Sequence, residues 1–335
     1  MAPSNHLELW RPAAEKESLL LRARLLEATR QFFAARSVLE VQTPLASRYT
    51  TSAPFVQSMN ATAGSTERLW LRTSPEHHMK RLIAAGSGDI WQLGSCFRAG
   101  EQGRYHNVEF QMLEWYRMGY SLSELWLETM ALLQALFAVN PKAAQLFGFN
   151  QPICMSYRDF FIKHWQIDPF TISAQSLHTL AQKQGAGIQG AQGSDGGASN
   201  DRDYLLQRAL DTHYPDSCLT LFHFPVDQAE LAAIERTHLE PAAARFEIWI
   251  NALEIANGAV ELLSAAEAQK RIKADNAMRK SLSLEPLEPD HNLLGAMEQG
   301  LPPCAGTAAG FDRILMLLSG VPALSDCLAF PSDRA

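Results

Sequence analysis

The sequence predicts an α+β fold in which an antiparallel β-sheet is flanked by helices, and two observations lead to this class. Two strand-like segments, 89–98 and 106–117, are separated by a short polar stretch, which is typical of an antiparallel hairpin. Helical patterns lie towards both ends of the chain. The glycine-rich signatures GxxxxGK[ST] and GxGxxG are absent, so a nucleotide would have to be held by side chains and metal.

The first elements are a helix and a short strand. We expect residues 1–16 to be a loose tail and residues 17–335 to form one domain. Apolar residues recur on one stripe between Ser18 and Arg36, which predicts a helix. The residues of that stripe are Leu21, Leu25, Ala28 and Phe32. The alternating segment 38–41 then predicts a strand that stops before Pro44.

A second helix is predicted where Ser74 suits the N-cap, Pro75 the first helical position and Gly86 the C-terminal stop. After the hairpin, a further helix is expected over 121–138. The region 185–200 is rich in Gly, Ser and Gln and predicts a flexible surface insertion.

The C-terminal part returns to strands and ends in a helix. Ser264 and Glu267 form a capping-box pattern that predicts the start of a helix. The expected elements are strands at 219–224, 245–250 and 253–260, a helix from 264 to 280, a strand from 306 to 311 and a helix from 312 to 318.

Composition restricts the class of function. The 335 residues are 47% hydrophobic and 19% charged, as in ordinary globular proteins. The formal net charge of −7 argues against gripping nucleic acid mainly through its phosphates, although a local basic patch is left open. The five cysteines are scattered without a CxxC pair, which disfavours a disulfide framework or a zinc knuckle. Because no signal peptide or membrane-length apolar run is seen, we expect a cytoplasmic protein.

The mouth of the hairpin carries a cluster of hydrogen-bond donors. Arg98 ends one strand, and Arg104, His106 and Asn107 precede the next. Guanidinium groups bind phosphate oxygens in a bidentate manner, so this cluster suits an anion such as phosphate. A solvated hairpin tip is the alternative.

Two glutamates, Glu254 and Glu261, stand seven residues apart, which places them on opposite faces of a regular strand. Gly258 between them could mark a bulge or turn that brings both to one side. The pair would then hold Mg²⁺ together with substrate phosphates. Two exposed glutamates on an edge strand are the alternative.

Arg313 and Glu76 are two further candidate functional residues. Arg313 follows Gly310 at the start of a helix, where the helix dipole gives it no advantage. A bound phosphate would explain it, and pairing with Asp312 or another acid is the alternative. Glu76 lies in the first turn of its helix, where an acid is favoured whatever its function, but it could also bind a substrate ammonium group.

Taken in order, these features resemble the class II aminoacyl-tRNA synthetases, and most closely their lysyl members. The segments that carry the resemblance are 38–44 for the first motif, 97–98 and 104–110 for the second, 306 with 310–313 for the third, and 73–76, 254–258 and 261–262 for the lysine-type site. The resemblance spans roughly residues 18–335. It implies the synthetase catalytic core, use of ATP and Mg²⁺, and a homodimer built through the first motif.

The resemblance also implies roles for individual residues. It makes Arg98 and Arg313 catalytic. The implied ATP-binding residues are Arg98, Gly100, Glu101, His106, Asn107, Phe110, Glu254, Ile255, Gly310 and Arg313. The implied amino-acid-binding residues are Ser74, Glu76, Tyr116, Glu261 and Ala308, and the implied metal ligands are Glu254 and Glu261.

Three departures narrow what the resemblance implies. We expect no N-terminal OB-fold for anticodon reading, because the first motif falls within 45 residues of Met1. Ala308 stands where lysyl synthetases have glycine. Both features are similar to a paralogous ligase family that attaches (R)-β-lysine to a lysine of translation elongation factor P, and they imply that protein as the acceptor, without direct tRNA binding.

The third departure concerns adenine. Gly100 occupies the position of a family glutamate, and Glu101 is next to it. Either Glu101 takes over through a shifted loop, or adenine is held less tightly. The alternatives that stay open are a stand-alone enzyme that charges tRNA or makes a small amide, and a ligand-binding paralogue with reduced catalysis.

Overall fold

A long, mostly antiparallel sheet runs through the centre of the molecule. The computed structural model describes residues 10–64, 67–149, 151–186, 198–236 and 240–335. The helices are α1 Lys16–Ala34, α2 Glu76–Ala84, α3 Leu122–Phe137, α4 Pro141–Ala144, α5 Tyr157–Trp165, α6 Ala174–Lys183, α7 Ala198–His213, α8 Ala265–Ser281, α9 His291–Gly300 and α10 Phe311–Ser319. The α+β class and the flanked antiparallel sheet are therefore confirmed.

The strands form two sheets. They are β1 Leu39–Glu40, β2 Ala46–Ser47, β3 Asn60–Ala63, β4 Glu67–Leu71, β5 Ile90–Phe97, β6 Glu109–Met118, β7 Ile153–Ser156, β8 Cys218–Phe224, β9 Ile234–Arg236, β10 Pro241–Ile250, β11 Leu253–Val260 and β12 Cys304–Gly310. The large sheet has the order β1-β5-β6-β12-β11-β10-β8-β7, with β9 on β10, and the small sheet has the order β2-β4-β3. Only β1–β5 and β7–β8 pair in parallel within the described residues.

One face of the large sheet forms the main hydrophobic core. Alternate residues of the central strands, among them Trp91, Trp115 and Phe246, are buried against α1, α3 and α10. The opposite face carries α2 and α9 at one end and α5 to α7 at the other. The middle strands of this second face, between those two helix groups, carry the residues of the candidate site.

Most sequence-predicted elements are found, with shifted ends. The hairpin consists of β5 and β6, and the second strand begins at Glu109, three residues later than expected. Ser121 and Glu124 form a reciprocal capping box at the start of α3. The predicted N-cap Ser74 is wrong, because α2 begins at Glu76 with Pro75 in the cap position and without a side-chain cap.

Two predicted segments fall partly outside the described residues. Of the insertion predicted at 185–200, residues 187–197 lie outside the description, and residues 198–200 belong to helix α7. Of the predicted tail, residues 1–9 lie outside it. Its remainder is not loose, because the amides of Ala13 and Ala14 donate to the carbonyls of Ala329 and Leu328. The division into a tail and one domain otherwise stays a prediction.

The cysteines and the helices also show whether the chain has disulfide bonds or membrane-spanning segments. All five cysteines are free thiols, and four of them are buried whereas Cys154 is exposed. Among the helices of the described residues, none combines the length and the apolar character needed to cross a membrane.

Candidate active site

The central strand of the second face carries only small residues, and we call the strip of the sheet along it the trough. On β12 these residues are Gly306, Ala308 and Gly310, which alternate with core-facing Thr307 and Ala309. Strand register then fixes the neighbours of each small residue. Across the sheet, Ala308 lies between Glu114 of β6 and Asn257 of β11.

One end of the trough is an acidic pocket built around a buried lysine. The Nζ atom of Lys80 lies 2.6 Å from Oε1 of Glu76 and 2.5 Å from Oε2 of Glu261. The side chain of Lys80 is 1% exposed, whereas that of Glu76 is 31% exposed. Two predicted amino-acid-binding residues are thus brought together, and Lys80 is a residue that the sequence interpretation missed. Its i,i+4 spacing from Glu76 on a helix was the available signal.

A third carboxyl group, that of Glu114, belongs to the same pocket and was also missed. The hydroxyl of Tyr116 donates a 2.8 Å hydrogen bond to Oε1 of Glu114, and both residues are buried. Burial raises the pKa of Glu114 to about 8, and the negative charge of Glu76 adds to the shift. Burial likewise raises the pKa of Tyr116 well above its usual value. Tyr116 therefore contributes a neutral phenol whose proton points at Glu114.

The carboxyl groups of the pocket differ in their charge state. Burial raises the pKa of Glu261 to about 7, and Lys80 limits the rise. For Glu76 burial acts in the same direction, but Lys80 and His77 together outweigh it and lower the pKa. At neutral pH the pocket thus holds one ionised carboxylate, one near half-ionisation and one largely protonated. Such a set can take up further positive charge by releasing protons.

Gly306 creates the space that these side chains need. A Cβ atom at this position would lie 2.5 Å from Cε1 of Tyr116 and 2.8 Å from Oε1 of Glu261. Both distances are shorter than any real contact of a Cβ atom. The glycine of the third motif is therefore required by the amino-acid end of the trough, and not by a turn.

Arg98 lies at the other end of the same face with unused hydrogen-bonding capacity. Its Nε atom is buried and has no hydrogen-bond partner among the described residues. Its closest acid is Glu101, at 3.4 Å from Nη1, and its guanidinium lies 5.1 Å from the ring centroid of Phe110. A buried donor without a partner is costly, so this arginine is suited to an anionic ligand.

The loop after Arg98 turns at Gly100. Its φ of +78° belongs to the left-handed region, and no atom other than Gln57 Oε1, at 3.9 Å, is near the position of a Cβ. This turn directs the side chain of Glu101 towards Arg98. A role of Glu101 in place of the family glutamate at Gly100 stays a prediction.

Arg313 is held by main-chain groups and a histidine. Its Nη1 donates to the carbonyl of Glu254 at 2.8 Å, and its Nη2 lies 2.8 Å from Nε2 of His106. Burial and the charge of Arg313 lower the pKa of His106, which leaves a neutral ring whose Nε2 can accept this bond. The alternative pairing with Asp312 does not occur, because that carboxylate accepts from Arg22.

Several other predicted residues are engaged elsewhere. Asn107 accepts two hydrogen bonds from Ser332 and donates one to the carbonyl of Glu109, so its amide is largely occupied. Arg104 donates to the carbonyl of Pro322. The side chain of Ile255 is 1% exposed and lies in the hydrophobic core. A nucleotide could contact Ile255 only through its main chain.

The structure shows how the strand places Glu254 and Glu261, the predicted metal pair. A bulge does place both on one face, but it lies at Ile255 rather than Gly258, because Ala256 pairs with Ile248 and Glu254 with Trp249. Six strand residues at 3.3 Å each nevertheless separate the two glutamates by about 20 Å. Glu261 is moreover bound to Lys80, and its role as a metal ligand together with Glu254 stays a prediction.

A different carboxylate lies next to Glu254. Glu247 is two residues before Trp249, the strand partner of Glu254, so the two glutamates are diagonal neighbours on one face. Burial raises the pKa of Glu247 to about 8; Arg245 opposes the shift and the charge of Glu254 adds to it. The spacing Glu247 to Glu254, seven residues across a hairpin, was the signal in the sequence.

The pair offers oxygen ligands of the kind that Mg²⁺ prefers, but Oε1 of Glu247 accepts from Arg245 at 2.7 Å and Oε2 accepts from Trp249 at 3.2 Å, so a metal ion would have to replace these contacts. The described residues contain no group of three or more His, Cys, Asp or Glu arranged to hold a metal ion. Mg²⁺ is commonly bound by one or two carboxylates together with substrate phosphates, so two glutamates are enough. The pKa of Glu247 is raised first by burial and further by the charge of Glu254, and a bound divalent cation would favour its ionised form.

Comparison with known proteins places the chain in a family. The family model described as tRNA synthetases class II (D, K and N) matches residues 2–334. A protein of Photorhabdus laumondii named elongation factor P–(R)-β-lysine ligase is 40% identical over 97% of this chain and 98% of its own length. Proteins of the same name from Hamiltonella defensa and Yersinia enterocolitica are 38% and 40% identical, again over 97% of this chain and 98% of their own length. The chain therefore belongs to the class II tRNA synthetases of the D, K and N group, in the family of the elongation factor P–(R)-β-lysine ligases.

Proposed function

We propose that this ligase activates (R)-β-lysine with ATP and transfers it to the ε-amine of a lysine on translation elongation factor P. The observation that carries the proposal is the polarity of the trough. Glu76, Glu114 and Glu261 gather at one end, and Arg98 with its unpartnered Nε stands at the other. A molecule with ammonium groups at one end and a carboxylate next to a phosphate at the other matches this distribution of charge.

In the first step a carboxylate oxygen of the amino acid attacks the α-phosphorus of ATP, and the bond to the bridging oxygen breaks to release pyrophosphate. Arg98 binds the α-phosphate and the carboxylate, and it stabilises the charge that develops between them. Phe110 and Arg313 lie against the two faces of adenine, and the guanidinium of Arg313 reaches the γ-phosphate. Glu247 and Glu254 would hold Mg²⁺, which neutralises phosphate charge.

In the second step the ε-amine of the acceptor lysine attacks the carbonyl carbon of the mixed anhydride. The carbon–oxygen bond to AMP breaks, and an amide forms. No side chain of the ligase is a nucleophile in this scheme, so positioning and electrostatics supply the rate enhancement. The acceptor is proposed because the relatives that cover this chain over 97% of its length are named for it.

A homodimer is part of the proposal. Three leucines, one in α1 and two in or directly after the first motif, are strongly exposed in the single chain: Leu20 at 51%, Leu39 at 55% and Leu45 at 47%. Large apolar side chains in one region of the surface are typical of a protein–protein contact. A monomer in sedimentation at micromolar concentration would contradict this part.

The function is tested by pyrophosphate exchange followed by transfer. We expect ATP–pyrophosphate exchange that is faster with (R)-β-lysine than with α-lysine, and transfer of labelled amino acid to elongation factor P detected by mass spectrometry. Transfer of the label to tRNA alone would show that the chain is a stand-alone aminoacylating enzyme. ATP binding by calorimetry without exchange for any of these amino acids would favour a ligand-binding paralogue.

A further inference from the structure

We infer that Lys80 is a positioning residue that holds the carboxylates of Glu76 and Glu261 from the helix side, so that their remaining oxygens face the amino acid. The inference rests on the proposed function, because it concerns the same amino-acid pocket. It assigns a role to a residue outside the segments that carry the family resemblance.

The contacts of Lys80 use one oxygen of each carboxylate. Oε1 of Glu76 and Oε2 of Glu261 accept from Nζ. Oε1 of Glu261 lies over Gly306, on the trough side of the sheet. The second oxygen of each carboxylate has no hydrogen-bond partner among the described residues, and it is therefore available to a ligand. Lys80 itself, at 1% exposure, lies behind the carboxylates rather than in the trough.

Burial of this lysine requires an explanation because an isolated buried ammonium is strongly unfavourable. The two carboxylates supply it, since their charges raise the pKa of Lys80 despite its burial. The lysine in turn keeps Glu76 and Glu261 ionised more readily than burial alone would allow. Each partner therefore depends on the other, and removal of one leaves uncompensated groups in a low-dielectric site.

Lys80 sets the net charge that the pocket presents to a ligand. Glu76, Glu114 and Glu261, when all ionised, carry three negative charges, and Lys80 offsets one of them. Two negative charges remain once Glu114 and Glu261 have released their protons, and this matches a ligand whose two ammonium groups displace those protons. Without Lys80 the three acids would repel one another and hold protons instead of a ligand.

The test compares two methionine variants in which one buried cation bridging two acids is removed. Lys80→Met removes the cation of the pocket. Arg117→Met is the matched control, because Arg117 is also buried and lies 2.9 Å from Asp89 and 3.3 Å from Glu128, on the strand that carries Glu114. For Lys80→Met we expect the KM for (R)-β-lysine to rise about 10- to 100-fold, the cost of a lost charge-assisted hydrogen bond. The KM for ATP should change little in both variants.

The pH profile distinguishes positioning from a merely structural role. Loss of Lys80 raises the pKa of Glu76 and Glu261. In Lys80→Met the KM for (R)-β-lysine should therefore fall only at a higher pH than in the parent protein. The other titratable groups that face this pocket are His77, Glu114, Tyr116 and Cys304. Lys80 also lowers the pKa of Glu114 and of Cys304, so its removal shifts these two groups in the same direction as Glu76 and Glu261.

A double variant covers the case in which Lys80→Met does not fold. Lys80→Met with Glu114→Gln removes one acid together with the cation and keeps an acceptor for the Tyr116 hydroxyl. Glu114→Gln alone is its reference, because Glu114 is one of the acids of the pocket. We expect the double variant to fold and to have a higher KM for (R)-β-lysine than Glu114→Gln, because nothing fixes the other two carboxylates. A parental KM and pH profile in Lys80→Met, or the KM and pH profile of Glu114→Gln in the double variant, would overturn the role of Lys80 while leaving the proposed function intact. Failure of the parent to bind or activate any diamino acid would overturn both.

Discussion

The phenol of Tyr116 and the carboxyl of Glu114 are joined by a 2.8 Å hydrogen bond on one face of β6, next to the glycine of the third motif. The ring of Tyr116 fills the space that a side chain at Gly306 would need. The backbone of β12 therefore lies too close to the ring of Tyr116 for any side chain at position 306. The position of Gly306 decides how much room the amino-acid end of the trough has.

Gly306→Ala should weaken amino-acid binding more than ATP binding. The new Cβ would displace the ring of Tyr116 or the carboxylate of Glu261. Overpacking of this kind costs about 1–3 kcal/mol, so we expect the KM for (R)-β-lysine to rise about 10-fold or more, with a smaller change for ATP. Gly295→Ala in α9 is the control, because no atom lies within 4 Å of its new methyl group. Equal effects of the two substitutions on the amino-acid KM would contradict the argument.

The magnesium requirement should follow Glu247 and Glu254 rather than Glu261. Glu247→Gln or Glu254→Gln should raise the Mg²⁺ concentration for half-maximal pyrophosphate exchange by about 10-fold or more. Glu261→Gln should raise the KM for the amino acid and leave the Mg²⁺ dependence unchanged, because its carboxylate is bound to Lys80. A shift of the Mg²⁺ dependence by Glu261→Gln would restore the pairing of Glu254 with Glu261.

ATP binding should require the carboxylate of Glu101, and position 100 should tolerate no side chain. Gly100 has a φ of +78°, so Gly100→Glu is strained by about 1–2 kcal/mol and should lower exchange activity rather than raise it. Glu101→Gln should raise the KM for ATP, because Glu101 is the acid beside Arg98. Kinetics at varied ATP checks both variants, and a gain of activity in Gly100→Glu would show that a glutamate is missing there.

Stability should fall as the pH rises towards 8. Burial raises the pKa of Glu114 and of Glu247 to about 8, above the unfolded value. Between about pH 4.3 and 8 the folded state therefore holds protons that the unfolded state releases. The free energy of unfolding should decrease with pH by up to about 1.4 kcal/mol per unit for each group.

Urea unfolding between pH 5.5 and 8 measures this dependence. The decrease should be smaller in Glu114→Gln and in Glu247→Gln than in the parent. Glu124→Gln is the control, because the capping box lowers the pKa of Glu124, and this carboxylate stays ionised over the whole range. The same pH dependence in all four proteins would contradict the raised pKa values.

Sequence patterns predicted the elements that carry strong local signals. Strand β11 was predicted at 253–260 as observed, because alternation and flanking turns define it. Helix α3 begins at a capping box that is legible in the sequence. The short strands β2 to β4 and the segment from α4 to α7 carry weak local patterns, and tertiary contacts determine their structure.

The site was predicted less completely, for a physical reason. A motif names residues along the chain, but strand register and bulges decide which of them meet. The bulge at Ile255 and the hairpin between β10 and β11 bring Glu247 to Glu254 and leave Glu261 near Lys80. Neither pairing follows from spacing alone.

Ala308 should influence the choice between β- and α-lysine. Its methyl group lies on the trough floor between Glu114 and Asn257, beside the acids that are proposed to bind the amines. Removing one methyl group from a pocket changes discrimination by about 1–3 kcal/mol, so Ala308→Gly should lower the ratio of kcat/KM for (R)-β-lysine over α-lysine about 10-fold.

Ala309→Gly is the matched control for that measurement. Ala309 is the next residue of the same strand but is buried in the core face. Loss of the Ala309 methyl group should lower the free energy of unfolding. It should leave the ratio of kcat/KM for (R)-β-lysine over α-lysine unchanged, because the core face of the sheet is not part of the proposed substrate site. If both substitutions changed the ratio alike, strand flexibility rather than the methyl group on the trough floor would set the preference.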